Sequence, residues 1–123
     1  MGVGIDLVDV PAFEARFAGR DEALAEIFTR DELAYCHRQS RPWVHLAVRF
    51  AAKEALLKAL TSGLSGAMRW HDIEILRDPA GTPRLKVTGA TGDVLDREGL
   101  ATRSVSLSHT ASTAAAVVLL AST

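Results

Sequence analysis

The chain has 123 residues, of which 48% are hydrophobic and 24% are charged, and its formal net charge is −1. This length fits one domain spanning residues 1–123, since two separate cores would each be too small, and the composition is that of a globular protein. The balanced charge gives no reason to expect a nucleic-acid partner, and the longest apolar run, residues 114–121, is too short to cross a membrane as a helix. With a single cysteine, Cys36, no internal disulfide can form, and because no signal peptide opens the sequence we predict a cytoplasmic location.

The first half of the chain predicts one strand followed by helices. Pro11 suits the first turn of a helix, where its missing N–H costs nothing. The polar stretch 19–22 predicts a break, after which Thr29 and Glu32 form a capping box that opens the next helix. The expected elements are a strand at Val3–Val8, helices from Pro11 to Phe17 and from Thr29 to about Arg38, and the longest helix from Pro42 to Leu60, ending near Ser62-Gly63.

The second half predicts a hairpin, one helix and two strands. Alternating polar and apolar residues flank the turn sequence 78–81, Asp-Pro-Ala-Gly, as in a β-hairpin. The expected elements are the hairpin strands Asp72–Ile75 and Arg84–Val87, a helix at Thr91–Glu98 ended by Gly99, and strands at Val105–Ser108 and Thr113–Leu120. No repeat or linker interrupts this order. We therefore predict an α+β fold in which an antiparallel sheet packs on one long helix.

Four charges interrupt the otherwise apolar long helix, namely Arg49, Lys53, Glu54 and Lys58. Arg49 and Lys53 are four residues apart, as are Glu54 and Lys58, so each pair shares a helix face. A solvated stripe with one bridge from Glu54 to Lys58, worth roughly 0.3 kcal/mol, would explain this spacing. The alternative interpretation is that these charges belong to a site.

Asp6 lies inside the apolar segment Gly4–Val8. A carboxylate buried there without a partner would be costly. It therefore faces solvent at the strand end, caps the next helix, or pairs with Glu54 as two oxygen ligands of a cation. Magnesium is commonly held by one or two carboxylates, with waters and substrate phosphates completing its coordination, and neighbouring lysine and arginine side chains would neutralise those phosphates.

Ser108 and His109 lie at the end of a predicted strand, where the chain turns. A hydrogen-bonded strand-end histidine would explain His109 without any catalytic role. The other histidines show no spacing that indicates a zinc site, and no glycine-rich phosphate loop is present. The residues alone therefore indicate an α+β domain with a candidate magnesium site, and no more.

Five segments of the sequence form a characteristic series: Gly2–Asp6, Ile27–Leu33, Arg49–Ala55, Asp72–Ile75 followed by Gly81-x-Pro83, and Leu107–Thr110. In this order and at these separations they resemble the holo-acyl-carrier-protein synthase family. The likeness covers essentially the whole chain. Each motif alone is only moderately specific, whereas the complete series is specific for this family.

The resemblance implies a set of site residues. Asp6 and Glu54 would bind Mg²⁺, and Glu54, Lys58 and His109 would act in catalysis. The residues that the resemblance places around coenzyme A are Asp6, Arg49, Lys53, Glu54, Lys58, Ser108 and His109.

The activity that the resemblance implies is transfer of the 4′-phosphopantetheine group from coenzyme A to a serine of an apo acyl carrier protein, with release of 3′,5′-ADP. It also implies the 4′-phosphopantetheinyl transferase fold and a homotrimer with active sites between subunits. A base must take the serine proton, and Glu54, a magnesium-bound water and His109 all remain candidates.

The sequence departs from the family pattern at several positions. Val48 stands where the family has glycine before the Arg-Phe pair, and Thr61-Ser62 replaces part of a Gly-Thr-Gly loop, so added side chains could obstruct coenzyme A. Ala12 and Glu22 stand where related enzymes place arginines that meet acidic carrier proteins. The cations nearby that could replace those arginines are Arg16 and Arg20.

Two other functions fit the same residues. A homologue that binds carrier proteins without turnover would keep the fold and lose part of the charged set. A magnesium-dependent phosphohydrolase would use the same carboxylate pair with a water in place of the serine. Retention of Asp6, Lys53, Glu54, Lys58 and His109 together favours an active enzyme over the binding-only alternative.

Overall fold

The computed structural model describes residues 1–60 and 63–122 and confirms the predicted α+β fold. A three-stranded antiparallel sheet packs on one long helix, and a hairpin forms a second, two-stranded sheet. The elements are β1 (Gly2–Asp9), α1 (Val10–Phe17), α2 (Asp21–Ile27), α3 (Arg30–His37), α4 (Pro42–Leu60), a 3₁₀ turn (Trp70–Asp72), β2 (Ile73–Arg77), β3 (Pro83–Val87), α5 (Gly89–Arg97), β4 (Thr102–His109) and β5 (Thr113–Ala121). The strand order is β1-β5-β4 in the larger sheet and β2-β3 in the hairpin.

Two glycines allow β1 to lie directly on α4. A side chain added at Gly4 would place its Cβ 1.8 Å from the carbonyl oxygen of Ala55, and one at Gly2 would lie 2.2 Å from that of Ala59. Only glycine permits so close an approach of two backbones. Because side chains alternate along a strand, Asp6 lies on the same face as these glycines and is directed at α4.

The opposite face of β1 is apolar and exposed. Val3, Ile5 and Leu7 are 66%, 59% and 67% exposed. In the antiparallel register Val3 pairs with Leu119 and Ile5 with Val117 of β5, and these two partners are also exposed. These five residues form one continuous patch, which we call the outer sheet face. A patch of this kind usually marks an interaction surface.

The helix α4 is buried on most sides, as its nearly continuous apolar sequence predicts. Its second half packs with β2 and β5 in one core cluster, and its first half packs with the phenylalanines of α1 and residue Phe28 in another. The side chain of Val48 is buried in the second cluster, where it fills core space. None of the described helices is both long and apolar enough to span a membrane.

The helix α2 is the main element that the sequence pattern does not predict. The expected break at 19–22 is shorter than proposed, because α2 begins at Asp21 with acidic residues in its first turn. It has only seven residues, too few for a clear helical period, and it is held by burial of Leu24 and Ile27. Gly19, at φ 75°, turns the chain between α1 and α2.

Candidate active site

Asp6 and Lys58 form an ion pair that joins β1 to α4. The Nζ of Lys58 donates to Oδ1 of Asp6 at 2.8 Å and to the backbone carbonyl of Ile5 at 3.0 Å. The side chain of Asp6 is 16% exposed and that of Lys58 is 53% exposed. The hydrogen bond to Asp6 raises the pKa of Lys58, so its ammonium stays charged and its exposed side can meet an incoming anion.

Glu54 lies one turn before Lys58 on the same face of α4 and is half-buried. Burial raises the pKa of Glu54, and the negative charge of Asp6 raises it further, against the opposing effects of Lys58 and Arg16. The two carboxylates thus lie close enough to repel each other. A positive charge placed between them would be stabilised by both.

Glu54 and Lys58 open into a surface pocket of about 480 Å³. Its wall combines these two charges with apolar groups, the composition typical of small-molecule sites. The other residues lining the pocket are Leu57, Gly63, Leu64 and Trp70. The sequence predicted the charged side of this pocket, but not its apolar wall.

Asp6 and Glu54 fit the expected magnesium site. No group of three or more His, Cys, Asp or Glu side chains in the described ranges could hold a metal ion by itself. Magnesium does not require such a group, because it commonly takes one or two carboxylates and completes its coordination with waters and substrate phosphates. Burial and then the charge of Asp6 raise the pKa of Glu54, and a divalent cation bound by the two carboxylates would offset both effects.

A second group of cations lies toward the N-terminus of α4. The guanidinium of Arg49 stacks 4.4 Å from the ring centre of Tyr35 and donates to the carbonyl of His45 at 3.3 Å. The rings of His45 and His109 are 5.8 Å apart, and the guanidinium of Arg77 lies 5.9 Å from the Tyr35 ring. We call the two arginines Arg49 and Arg77, together with the neighbouring rings of His45 and His109, the second cationic group.

This group carries positive charge without a matching acid. Among the residues that the structure describes, no carboxylate forms an ion pair with buried Arg49, and its Nε lacks a hydrogen-bond partner. The pKa of His45 is lowered mainly by burial and further by the charges of Arg49 and His109. Ser108 and His109 are exposed at the end of β4. A buried arginine without an acidic partner is costly unless an anion pairs with it, so Arg49 and the basic residues around it indicate an anion-binding surface.

Lys53 joins neither group. It is fully buried, and its Nζ donates to Oε1 of Glu32 at 2.8 Å, to the carbonyl of Trp70 at 3.3 Å and to the carbonyl of Ile73. These three bonds engage all the N–H donors of a lysine. The contact with coenzyme A that the resemblance implies for Lys53 would require one of these bonds to break.

Several residues at these sites are not identified by the sequence pattern. Glu32 is recognisable only as a capping residue, although its second oxygen also accepts from the backbone of Ile75 at 3.0 Å. Tyr35 lies three residues after Glu32 and so shares its helix face. This spacing is the feature of the sequence that could have pointed to Tyr35. Trp70 and Arg77 flank the predicted hairpin strand and carry no signal of their own.

The described departures from the family pattern on α1 and α2 are exposed, and Val48 lies in the core. Thr61 and Ser62 fall outside the described residues. Ala12 and Glu22 are exposed on α1 and α2. Arg16, in the last turn of α1, stacks 4.9 Å from the ring centre of Phe17, and its charge reaches Glu54.

Comparisons with known proteins agree with this geometry. The sequence model of the 4′-phosphopantetheinyl transferase superfamily matches residues 2–118. The holo-[acyl-carrier-protein] synthase of Syntrophus aciditrophicus is 42% identical over 120 residues, covering 97% of this chain and 94% of the relative. The crystal structure of the Neisseria meningitidis holo-[acyl-carrier-protein] synthase superimposes with a TM-score of 0.88 at 32% identity, covering 98% of this chain and 97% of that one.

A ligand-bound relative has the same fold. The Helicobacter pylori holo-[acyl-carrier-protein] synthase, solved in complex with coenzyme A, superimposes with a TM-score of 0.84 at 28% identity, covering 97% of this chain and 99% of that one. The matches extend over the complete domain, including β1, α4 and the end of β4, where the candidate residues lie. The chain therefore belongs to the 4′-phosphopantetheinyl transferase superfamily and, within it, to the holo-[acyl-carrier-protein] synthase type.

Proposed function

We propose that this protein transfers the 4′-phosphopantetheine group of coenzyme A to a serine of an apo acyl carrier protein, in a magnesium-dependent reaction that releases 3′,5′-ADP. The observation that carries the proposal is that Glu54 and Lys58 line one open pocket while Asp6 pairs with Lys58 and its charge acts on Glu54. The names of its relatives and the coenzyme A complex of the Helicobacter pylori protein support the same activity.

Asp6 and Glu54 would hold the magnesium ion, which when bound supplies positive charge to the pyrophosphate. Lys58 adds a second positive charge from the side, and Asp6 holds its ammonium in place at 2.8 Å. Phosphoryl transfer depends mainly on such positioning and charge neutralisation. In this arrangement Lys58 is expected to contact the phosphates directly.

The reaction forms a bond between the serine Oγ and the β-phosphorus of coenzyme A and breaks the bond from that phosphorus to the 3′,5′-ADP oxygen. The serine proton must leave as the Oγ–P bond forms. Of the candidate bases, Glu54 lines the pocket, whereas His109 lies beside His45 in the second cationic group. Since Mg²⁺ bound at Glu54 would offset the raised pKa of that carboxyl, the acceptor of the serine proton is either Glu54 or a magnesium-bound water held beside it.

The second cationic group would bind another part of coenzyme A. The negative charge of the coenzyme A phosphates would neutralise the arginines of this group. Successive helix residues are about 100° apart, so Arg49 and Lys58, nine residues apart, point to opposite sides of α4. One subunit therefore cannot easily bring both side chains to the same ligand. Two subunits can, if the ligand lies between them.

A homotrimer would supply this arrangement. One subunit would contribute Asp6, Glu54 and Lys58, and its neighbour would contribute the second cationic group. The outer sheet face supports association, because three strongly exposed apolar residues of β1 and two of β5 would become buried. A domain of this size also gains stability from the additional buried area.

The test is a transfer reaction followed by intact-mass measurement. The protein is incubated with coenzyme A, Mg²⁺ and an apo acyl carrier protein, with a carrier whose target serine is replaced by alanine as the control. We expect only the serine-containing carrier to gain the mass of one phosphopantetheine. Binding of the carrier without any mass gain would favour the non-catalytic alternative instead.

A further inference from the structure

The buried ion pair between Lys53 and Glu32 has no part in the proposed chemistry. Their side chains are 0% and 1% exposed, and their charged atoms are 2.8 Å apart. A pair this deeply buried is weak support for stability, because both charges lose their hydration. Since stability does not explain this ion pair, its position beside the candidate active site suggests a role in arranging that site.

The pair connects four segments of the chain. The Nζ of Lys53, on α4, donates to the carbonyls of Trp70 and Ile73 at the start of the hairpin. Glu32, on α3, accepts from the backbone N–H groups of Thr29 and Ile75, each at 3.0 Å. Every charged atom of the pair is thus hydrogen-bonded, and the bonds hold α3, α4, the 3₁₀ turn and β2 in one arrangement.

One of these segments forms the wall of the active-site pocket. Trp70 lines the pocket with Glu54 and Lys58, and its ring also packs 5.4 Å from that of Phe50. Lys53 immediately precedes Glu54 on α4. One residue of α4 therefore supplies the reactive carboxylate, and its neighbour holds the backbone of the opposing wall.

We propose that Lys53 and Glu32 are positioning residues for phosphopantetheine transfer: the pair fixes Trp70 against the face formed by Glu54 and Lys58, and so sets the width of the pocket. This inference rests on the proposed function. It assigns Lys53 a role through Trp70 in place of the direct contact with coenzyme A that the family resemblance implies.

The test uses a double variant, Glu32→Gln with Lys53→Met, because removing one charge alone would leave its partner buried and unpaired and could unfold the protein. The matched control is Asp96→Asn with Arg103→Met, which removes the ion pair at 3.0 Å between α5 and β4. Circular dichroism and thermal melting, with assays well below the melting temperature, establish that each protein is folded. Replacing Trp43 by Phe in every protein leaves Trp70 as the single tryptophan.

We expect the Glu32/Lys53 variant to remain folded, to lose at least tenfold in kcat at saturating coenzyme A, and to show increased acrylamide quenching of Trp70. The control should match the parent protein in both measurements. A folded double variant with kcat and quenching within twofold of the parent would overturn the proposal. So would a variant with unchanged quenching and kcat but a raised KM for coenzyme A, because that result would indicate direct contact with the substrate.

The fluorescence measurement separates this proposal from the proposed function. If the parent protein transfers no phosphopantetheine, the proposed function fails. Trp70 quenching still reports whether the ion pair holds the pocket wall, and unchanged quenching overturns that claim with or without transfer.

Discussion

Asp6 and Glu54 are carboxylates in mostly apolar surroundings, but their electrostatic environments differ. Asp6 is neutralised directly by Lys58, whereas Glu54 is half-buried and feels the negative charge of Asp6. Burial and repulsion both disfavour the ionised form of Glu54. The ionised form of Glu54 therefore lowers the free energy of unfolding of the metal-free protein, and a bound cation would offset that cost.

Removing either carboxylate should abolish transfer. We expect Asp6→Ala and Glu54→Ala each to lower kcat by at least about a hundredfold, because each leaves the pyrophosphate charge poorly neutralised. The fold should persist, since the side chain of Lys58 is half exposed and water can replace its bond to Asp6. Transfer rates over a magnesium titration, together with circular dichroism, check this. Full activity of either variant at low magnesium would remove that residue from the metal site.

Glu54→Gln should stabilise the metal-free protein at neutral pH. The pKa of Glu54 is raised above its ordinary value of 4.5, so above the raised pKa the folded state carries a penalty that the glutamine lacks. The free energy of unfolding should rise by a few tenths up to about 1 kcal/mol. Because both proteins are neutral at this position below the ordinary pKa, the gain should disappear as the pH falls through the raised pKa toward 4.5. Urea unfolding at several pH values measures the difference in free energy of unfolding between the variant and the parent protein. A difference that does not change with pH would contradict the electrostatic cause.

The sequence predicts Asp6 and Glu54 as candidate site carboxylates, but it does not predict which lysine is buried and which is exposed. Lys53 and Lys58 stand five residues apart on α4, yet Lys53 is fully buried and Lys58 is half exposed. The difference arises because Glu32, on another helix, reaches Lys53. Contacts between segments distant in sequence leave no trace in periodicity.

At the scale of elements, α1, α2 and the residue before α2 present three exposed charged residues, namely Arg16, Arg20 and Glu22. Arg16 acts electrostatically on Glu54, and Arg20 and Glu22 are exposed at the start of α2. Carrier proteins of this kind are acidic by the family resemblance, so complementary charge here would mainly increase the association rate and set partner choice.

Reversing these charges should change the use of carrier protein rather than of coenzyme A. We expect Arg16→Glu and Arg20→Glu to raise KM for an acidic carrier, at roughly 0.2–1 kcal/mol per charge and less at high salt. Glu22→Arg should lower that KM. Steady-state kinetics at two salt concentrations, with KM for coenzyme A as the internal control, provide the measurement. If none of the three shifts the carrier KM beyond about twofold, the docking surface lies elsewhere.

The elements with strong local signals could be predicted from the sequence, namely β1, the capped α3, α4 and the hairpin. The short helix α2 could not, because seven residues span fewer than two periods and its stability comes from burying Leu24 and Ile27. The glycines of β1 also required the structure, since their purpose is the contact with the backbone of α4 rather than a turn.

At the scale of the whole molecule, the chain presents an apolar outer sheet face and two charged groups on opposite sides of α4. Neither feature is complete in one subunit. The outer sheet face exposes apolar side chains, and the second cationic group exposes a charge surplus. A trimer would bury the apolar side chains and bring the two charged groups of neighbouring subunits to one ligand. Sedimentation should therefore show a trimer at micromolar concentration.

Mixed trimers test whether the active site is shared. Glu54→Ala and Arg49→Met should each be nearly inactive alone. If one subunit supplies Glu54 and its neighbour supplies Arg49, co-expressed variants should recover up to about a quarter of the parent activity, because one interface in four combines two intact partners. Ile5→Glu, on the outer sheet face, should give an inactive monomer. No recovery in verified mixed trimers would place each site within one subunit.

The most direct test of the central claim is the stoichiometry of products. The parent protein, coenzyme A, Mg²⁺ and apo acyl carrier protein are mixed, and 3′,5′-ADP and holo carrier are measured over the same time course. Transfer at the pocket lined by Glu54 and Lys58 predicts that the two products appear in equal amounts and that neither forms with the Glu54→Ala variant. Continued release of 3′,5′-ADP without holo carrier would identify a phosphohydrolase and contradict the account.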